Sequence, residues 1–188
     1  MAQAKTLTTV EIDQVLTYME HRKFKERNRA MFFMSLWAAM RVGEIATLKM
    51  GDVVNPDGTI KSEIRLSASQ TKGGFPRTVF ISQKLQEELA KYLATRYVRN
   101  PDVAFFNTSN RLGFTANTLT QHFFWLYRHA GVEGASSHSG RRSMITNLAN
   151  KGIGVRTLAA IAGHKSIAVT QKYIDVNPSM IRNAVELV

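Results

Sequence analysis

Between Ala30 and Met40 the chain reads AMFFMSLWAAM, with Ser35 its one polar side chain, and it runs straight into Arg41. Wound as a helix, such a stretch is apolar on every side, so it must be surrounded by other elements. It falls well short of the roughly 20 apolar residues that a membrane-spanning helix needs. A chain of 188 residues can build one core around it. The sequence thus predicts a single domain over residues 1–188, centred on a buried helix at Lys25–Met40 that ends on Arg41. A charge at the edge of a core needs an anionic partner, either Glu44 three residues on or a ligand phosphate.

Around this helix the other elements can be read in turn. Thr8 and Glu11 make a capping-box pair that opens a helix over Thr8–Lys23. Val42–Lys49 reads as a short helix stopped near Gly51-Asp52, and Asn55-Pro56-Asp57-Gly58 as a turn. Ile60–Leu66 and Arg77–Ile81 have β-like composition and bracket the glycine-rich stretch Gln70–Pro76, which predicts an antiparallel hairpin with a long tip. Ser82 opens a helix through about Val98, Val103–Phe106 reads as a short buried strand, and Thr115–Ala130 as a helix with Phe123, Phe124 and Tyr127 on one face. Four short helices follow, at Ser137–Asn150, Val155–Ala162, Ile167–Ile174 and Pro178–Leu187. The expected class is α+β, predominantly α-helical, with a small antiparallel hairpin on one edge.

Charge narrows the partners. Lys and Arg number 25 against 14 acidic residues, a net charge of +11, which favours a polyanion and nucleic acid ahead of an anionic membrane. With no cysteine there is neither a disulfide framework, nor a thiolate metal site, nor a cysteine nucleophile. The N-terminus lacks the apolar stretch of a secretory signal, which is compatible with the cytoplasm.

Several polar residues could carry chemistry. His138-Ser139-Gly140-Arg141-Arg142 stands near a predicted helix N-terminus, where i and i+3 place His138 and Arg141 on one face and the helix end favours an anion. A guanidinium matches phosphate oxygens with a planar fork of donors. Gly163-His164 forms a turn, and Tyr173 follows nine residues after His164 in Gln171-Lys172-Tyr173-Ile174-Asp175-Val176. Lys72 stands at the hairpin tip. Each has an ordinary reading on its own: solvated surface for the cations and a helix-packing role for the tyrosine.

Taken in order, Arg41, Lys72, His138, Arg141, His164 and Tyr173 resemble the signature of the tyrosine recombinase (phage integrase) family. The flanking Arg41-Val42-Gly43-Glu44-Ile45 and Thr170-Gln171-Lys172-Tyr173 agree, and the resemblance runs from about residue 8 to the C-terminus. It implies an integrase-like catalytic domain. Many members of the family carry a further N-terminal DNA-binding domain; only 40 residues precede Arg41, so none is expected within residues 1–188, either because the recombinase is naturally short or because an N-terminal portion is missing. It also implies site-specific cleavage and rejoining of double-stranded DNA with no metal or other cofactor. Tyr173 would be the nucleophile and form a 3′-phosphotyrosyl bond. Arg41 and Arg141 would grip the phosphate, Lys72 would protonate the leaving 5′ oxygen, His138 would assist proton transfer, and His164 would donate to the phosphate. Glu44 would orient Arg41. Assembly would be a homotetramer on two DNA sites, with residues 178–188 packing in trans, in the cytoplasm at the nucleoid.

A second reading keeps DNA binding but drops catalysis. Thr157–Gly163 followed by His164–Ile174 also has the form of a helix-turn-helix, with His164–Ile174 as recognition helix and Tyr173 an ordinary residue.

Overall fold

The computed structural model describes residues 3–97, 100–110, 112–174 and 178–186. Its helices are α1 (Thr9–Glu20), α2 (Lys25–Ala38), α3 (Val42–Ala46), α4 (Met50–Val53), α5 (Gln83–Leu93), α6 (Ala116–His129), α7 (Ser139–Asn150), α8 (Val155–Ala162), α9 (Ile167–Gln171) and α10 (Pro178–Val185). Strands β1 (Glu63–Leu66) and β2 (Arg77–Phe80) pair antiparallel, Glu63 opposite Phe80 and Leu66 opposite Arg77. A 3₁₀ turn at Ala68–Gln70 begins the hairpin tip. The fold is mostly helical with one small antiparallel sheet, as the hydrophobic pattern implies.

The apolar run is the centre of the molecule. Helix α2 packs on α7 and on α5, and Ala30, Met31, Phe32, Met34 and Ser35 have no solvent exposure. Its start and its Ala38 end lie close to the predicted bounds, and α1 opens on the expected Thr8–Glu11 capping box. At the end of α2, Ala39 adopts φ 50°, a left-handed conformation that turns the chain sharply while the residue stays buried.

Elsewhere tertiary pairing overrides local pattern. The predicted helix Val42–Lys49 stops at Ala46, because Leu48 and Lys49 run extended to bond with Phe105 and bridge Ala104. Gly51 and Asp52, expected to stop a helix, lie inside the short α4. Val103–Phe106 is not a strand: one isolated bridge at Ala104 is all that forms, though Phe105 and Phe106 are buried as expected. Helix α5 ends at Leu93, and Val98 lies outside the described residues. Phe123 and Tyr127 of α6 are buried, but Phe124 is 43% exposed, so the aromatic face is narrower than predicted. Helix α9 stops at Gln171, short of Ile174. Helix α10 ends at Val185; Leu187 and Val188 lie outside the described residues.

One glycine sets the distance between α7 and α2. A Cβ on Gly140 would stand 2.8 Å from Ser35 Oγ and 3.3 Å from the backbone N of Leu36. Gly140→Ala gains about 1 kcal/mol of helix propensity but forces α7 off α2, an overpacking that costs about 1–3 kcal/mol. The expected result is a lowered urea midpoint with an unchanged slope; a raised midpoint would contradict this packing.

Candidate active site

The site is organised by Glu44. Its carboxylate is 1% exposed and accepts from the Arg41 backbone N–H (2.8 Å), Arg41 Nη1 (2.9 Å), Arg77 Nε (3.1 Å) and Arg77 Nη2 (2.7 Å). Burial opposes its ionisation, but the Arg77 hydrogen bond and charge, together with Arg41, outweigh burial and hold it below the usual carboxylate range. The sequence pair Arg41–Glu44 at i, i+3 therefore exists, and Arg77 from β2 joins it.

The C-terminal end of α8 supplies the next partners. The Ile161 carbonyl accepts from Arg77 Nη1 (2.9 Å), the Ala162 carbonyl from Arg141 Nη2, and the Gly163 carbonyl from Arg41 Nη2 (3.3 Å). Carbonyls at a helix C-terminus lack intrahelical donors and carry the negative end of the dipole, so three successive ones can each hold a guanidinium. Gly163 closes α8 at φ +60°, where a Cβ would lie 2.5 Å from Arg77 Cδ; glycine is needed for both the turn and the arginine.

Arg141 is only 3% exposed. Besides Ala162 it donates to the Ala39 carbonyl at the left-handed turn after α2, and its Nη2 lies 2.9 Å from His164 Nε2. Burial and the charges of Arg41 and Arg77 lower its pKa to about 9, which leaves it charged at neutral pH. Among the described residues no carboxylate pairs with it. Arginine can only donate, so His164 Nε2 must accept and its Nδ1–H donates to Thr170 Oγ1 (2.9 Å). Burial and the cations of Arg141, Arg41 and Arg77 push His164 down to about 4, so the ring is neutral at pH 7. His138 stands at the N-terminal boundary of α7, its side chain making no capping hydrogen bond, and its pKa is likewise lowered, by partial desolvation and by Arg141, Arg41 and Lys72.

Tyr173 lies just beyond α9, its ring stacked on His164 at 5.6 Å between centroids and 25° between planes. Arg142, next to Arg141 on α7, places its Cζ 5.2 Å from the Tyr173 ring centre and bonds Thr6 Oγ1 through Nε (3.2 Å). A cleft of about 350 Å³ is lined by His138, Arg141, Arg142 and Tyr173, together with Gln3 and Ala4 from the N-terminal segment. Lys72 stands on the exposed hairpin tip outside this cleft, near enough for its charge to act on His138.

Arg41, His138, Arg141, His164 and Tyr173, far apart in sequence, thus meet in one place. Sequence reasoning missed Arg77, Arg142 and Thr170. Arg77 left one signal, a cation opening a half-buried strand. The helix-turn-helix reading fails on geometry. Helix α9 has five residues, Thr170 is buried in it, and the His164 ring is turned inward onto Arg141, so no recognition helix over His164–Ile174 forms. Among the described residues no group of three or more His, Asp or Glu side chains could hold a metal ion.

Comparison with known proteins agrees with this geometry. The tyrosine recombinase XerA of Pyrococcus furiosus is 28% identical over 183 residues, covering 97% of this chain and 61% of the relative. A tyrosine recombinase XerC from Herpetosiphon aurantiacus is 28% identical over 92% of this chain and 56% of its own length. The chain therefore spans about 60% of the length of such recombinases. Among solved structures, a XerA recombinase superposes with a TM-score of 0.78 at 24% identity, covering 100% of this chain and 64% of that one. The Tn1549 transposon integrase in complex with a circular intermediate DNA gives 0.76 at 17% identity, covering 100% and 67%. Residues 5–180 match the phage integrase family, so with the fold and the clustered residues in agreement the chain belongs to the phage integrase family of tyrosine recombinases.

Proposed function

We propose that the chain performs site-specific cleavage and rejoining of double-stranded DNA through a covalent bond to Tyr173. The observation that carries this reading is Arg141: a buried guanidinium held by two carbonyls and a neutral histidine, with no carboxylate partner among the described residues, beside the Tyr173 cleft. A buried cation without a counter-ion calls for an anion, and a DNA phosphate is an anion whose geometry suits a guanidinium. The net charge of +11 supports a nucleic-acid partner, as do neighbours solved with DNA bound.

In this mechanism Tyr173 Oη attacks phosphorus, the P–O5′ bond breaks, and the products are a 3′-phosphotyrosyl ester and a 5′-hydroxyl. His138, its pKa lowered so that the ring is neutral, takes the phenol proton; Lys72 gives a proton to the leaving 5′ oxygen. Arg41 and Arg141 stabilise the charge that grows on the non-bridging oxygens, the kind of preorganised electrostatics that supplies several kcal/mol of barrier reduction. Glu44 and Arg77 act through Arg41 by fixing its guanidinium. His164 as arranged accepts from Arg141 and orients it; donation to a phosphate oxygen requires Nε2 to carry the proton instead. The ester conserves the energy of the broken bond, so rejoining needs no nucleotide.

Helix α10 exposes Ile181 and Val185, apolar positions that suit a partner surface. We assign residues 178–188 to packing in trans within a homotetramer on two DNA sites. Deleting 178–188 should abolish cooperative assembly in gel-shift titrations while single-copy binding persists; a deletion variant that assembles like the full chain would refute this role.

The catalytic reading is tested with labelled nicked duplexes that fix the scissile position and randomise its flanks. Wild type should yield a band that survives denaturation, with mass spectrometry placing the nucleotide on Tyr173. Tyr173→Phe keeps the ring and its stacking, so it should stay folded and bind DNA yet form no adduct. An adduct persisting in Tyr173→Phe, or none from wild type, would overturn the assignment.

A further inference from the structure

The three residues after Gly163 divide their work. His164 orients Arg141, and Ser166 caps α9, its Oγ accepting from the Ala168 N–H at 3.2 Å. Lys165, between them, reaches the other way, onto the hairpin tip. Its Nζ sits 3.4 Å from the centre of the Phe75 ring and 3.5 Å from the Gly73 carbonyl, the outer limit of a hydrogen bond. Phe75 is 59% exposed, and the Lys165 ammonium covers one face of its ring. The tip is also closed on itself, since Thr71 Oγ1 donates to the Phe75 carbonyl at 2.6 Å and Gly74 N–H to the Thr71 carbonyl at 3.3 Å. Lys72 lies inside this small ring of contacts, adjacent to Gly73. Among the described residues neither Lys72 nor Lys165 pairs with a carboxylate.

We infer that Lys165 is a positioning residue for Lys72: its ammonium, seated on the Phe75 ring, latches the hairpin tip to the turn that carries His164 and leads to Tyr173. The inference rests on the strand-transfer reading and adds to it a coupling between its two halves. Residues 164–173 set the nucleophile side, where the Tyr173–phosphorus bond forms. The latch fixes the leaving side, where the P–O5′ bond breaks and Lys72 Nζ passes its proton to the 5′ oxygen. Without the latch an exposed glycine-flanked tip samples many positions, and the proton donor is in reach for a smaller fraction of the time.

The test uses single-turnover cleavage by the full chain on nicked duplexes with randomised flanks, made with either oxygen or sulfur at the bridging 5′ position. A thiolate leaves without a proton, so only defects in leaving-group protonation are rescued by sulfur. Lys165→Met keeps most of the stem without the charge, and Phe75→Leu removes the ring face. Each should slow the oxygen substrate about fivefold, the loss of one exposed cation–π contact, and match wild type on the sulfur substrate. Lys165→Arg should retain activity on both, since a guanidinium also stacks on an aromatic face. Lys72→Ala should show the same pattern more deeply. Equal slowing of Lys165→Met on both substrates would make Lys165 a DNA contact or a structural residue and overturn the latch. So would unchanged rates for Lys165→Met and Phe75→Leu, or a Lys72→Ala defect that sulfur does not rescue. Wild type forming no adduct on either substrate would overturn the strand-transfer reading itself, and the latch with it.

Discussion

The site depends on keeping three guanidiniums together against their mutual repulsion. Arg41, Arg77 and Arg141 all bond the last turn of α8, through Gly163, Ile161 and Ala162, and one carboxylate, Glu44, stands between Arg41 and Arg77. Like charges brought this close in a partly dry site repel strongly unless fixed partners offset them. The α8 carbonyls and Glu44 are those partners, and they take different shares. Glu44 neutralises the Arg41–Arg77 side; Arg141 receives only dipoles and so keeps its full charge for a ligand. A buried pair of this kind adds little net stability, because desolvation offsets the attraction, but removing Glu44 would leave two cations uncompensated. Its value here is positional: it joins α3, β2 and α8 at one point.

That arrangement links the core to the chemistry. The apolar character of Ala30–Met40 forces α2 to the centre, and Gly140 lets α7 press against it. The left-handed turn at Ala39 then delivers a backbone carbonyl to Arg141. Packing against α2 therefore sets the height of Arg141 and His138 in the cleft. His164, neutral through the same cluster of cations, spans from Arg141 to Thr170 and stacks on Tyr173. The position of the tyrosine is thus referred to Arg141, the arginine proposed to hold the phosphate.

Much of this was legible in the chain. The Ala30–Met40 run and the Thr8–Glu11 box are local signals, and both elements form close to where the pattern places them. The Arg41–Glu44 pair is likewise local at i, i+3. The clustering of Arg41, His138, Arg141, His164 and Tyr173 was legible only as an ordered set, because each has an ordinary reading alone. What stayed hidden depends on long-range geometry. Arg77 reaches Glu44 from 33 positions away and Arg142 reaches Thr6 from 136 away, and no periodicity announces such pairs. Helix α9 ends at Gln171, beyond which the Lys172 and Tyr173 carbonyls accept from Gln3 Nε2 and Thr146 Oγ1, and Val103–Phe106 pairs with Leu48–Met50 only over a single bridge, too short for a strand; neither outcome is set by local propensity.

In the proposed mechanism, the positive charge at the scissile phosphate comes from guanidiniums held by Glu44 and by α8. Single-turnover cleavage of the nicked duplexes in excess EDTA, against the same reaction in magnesium, tests it most directly. Adduct is expected to form at the same rate in both, because in this mechanism arginine does the work that a Lewis acid does elsewhere. A chemical step that stops in EDTA and returns in full when magnesium is restored would contradict it.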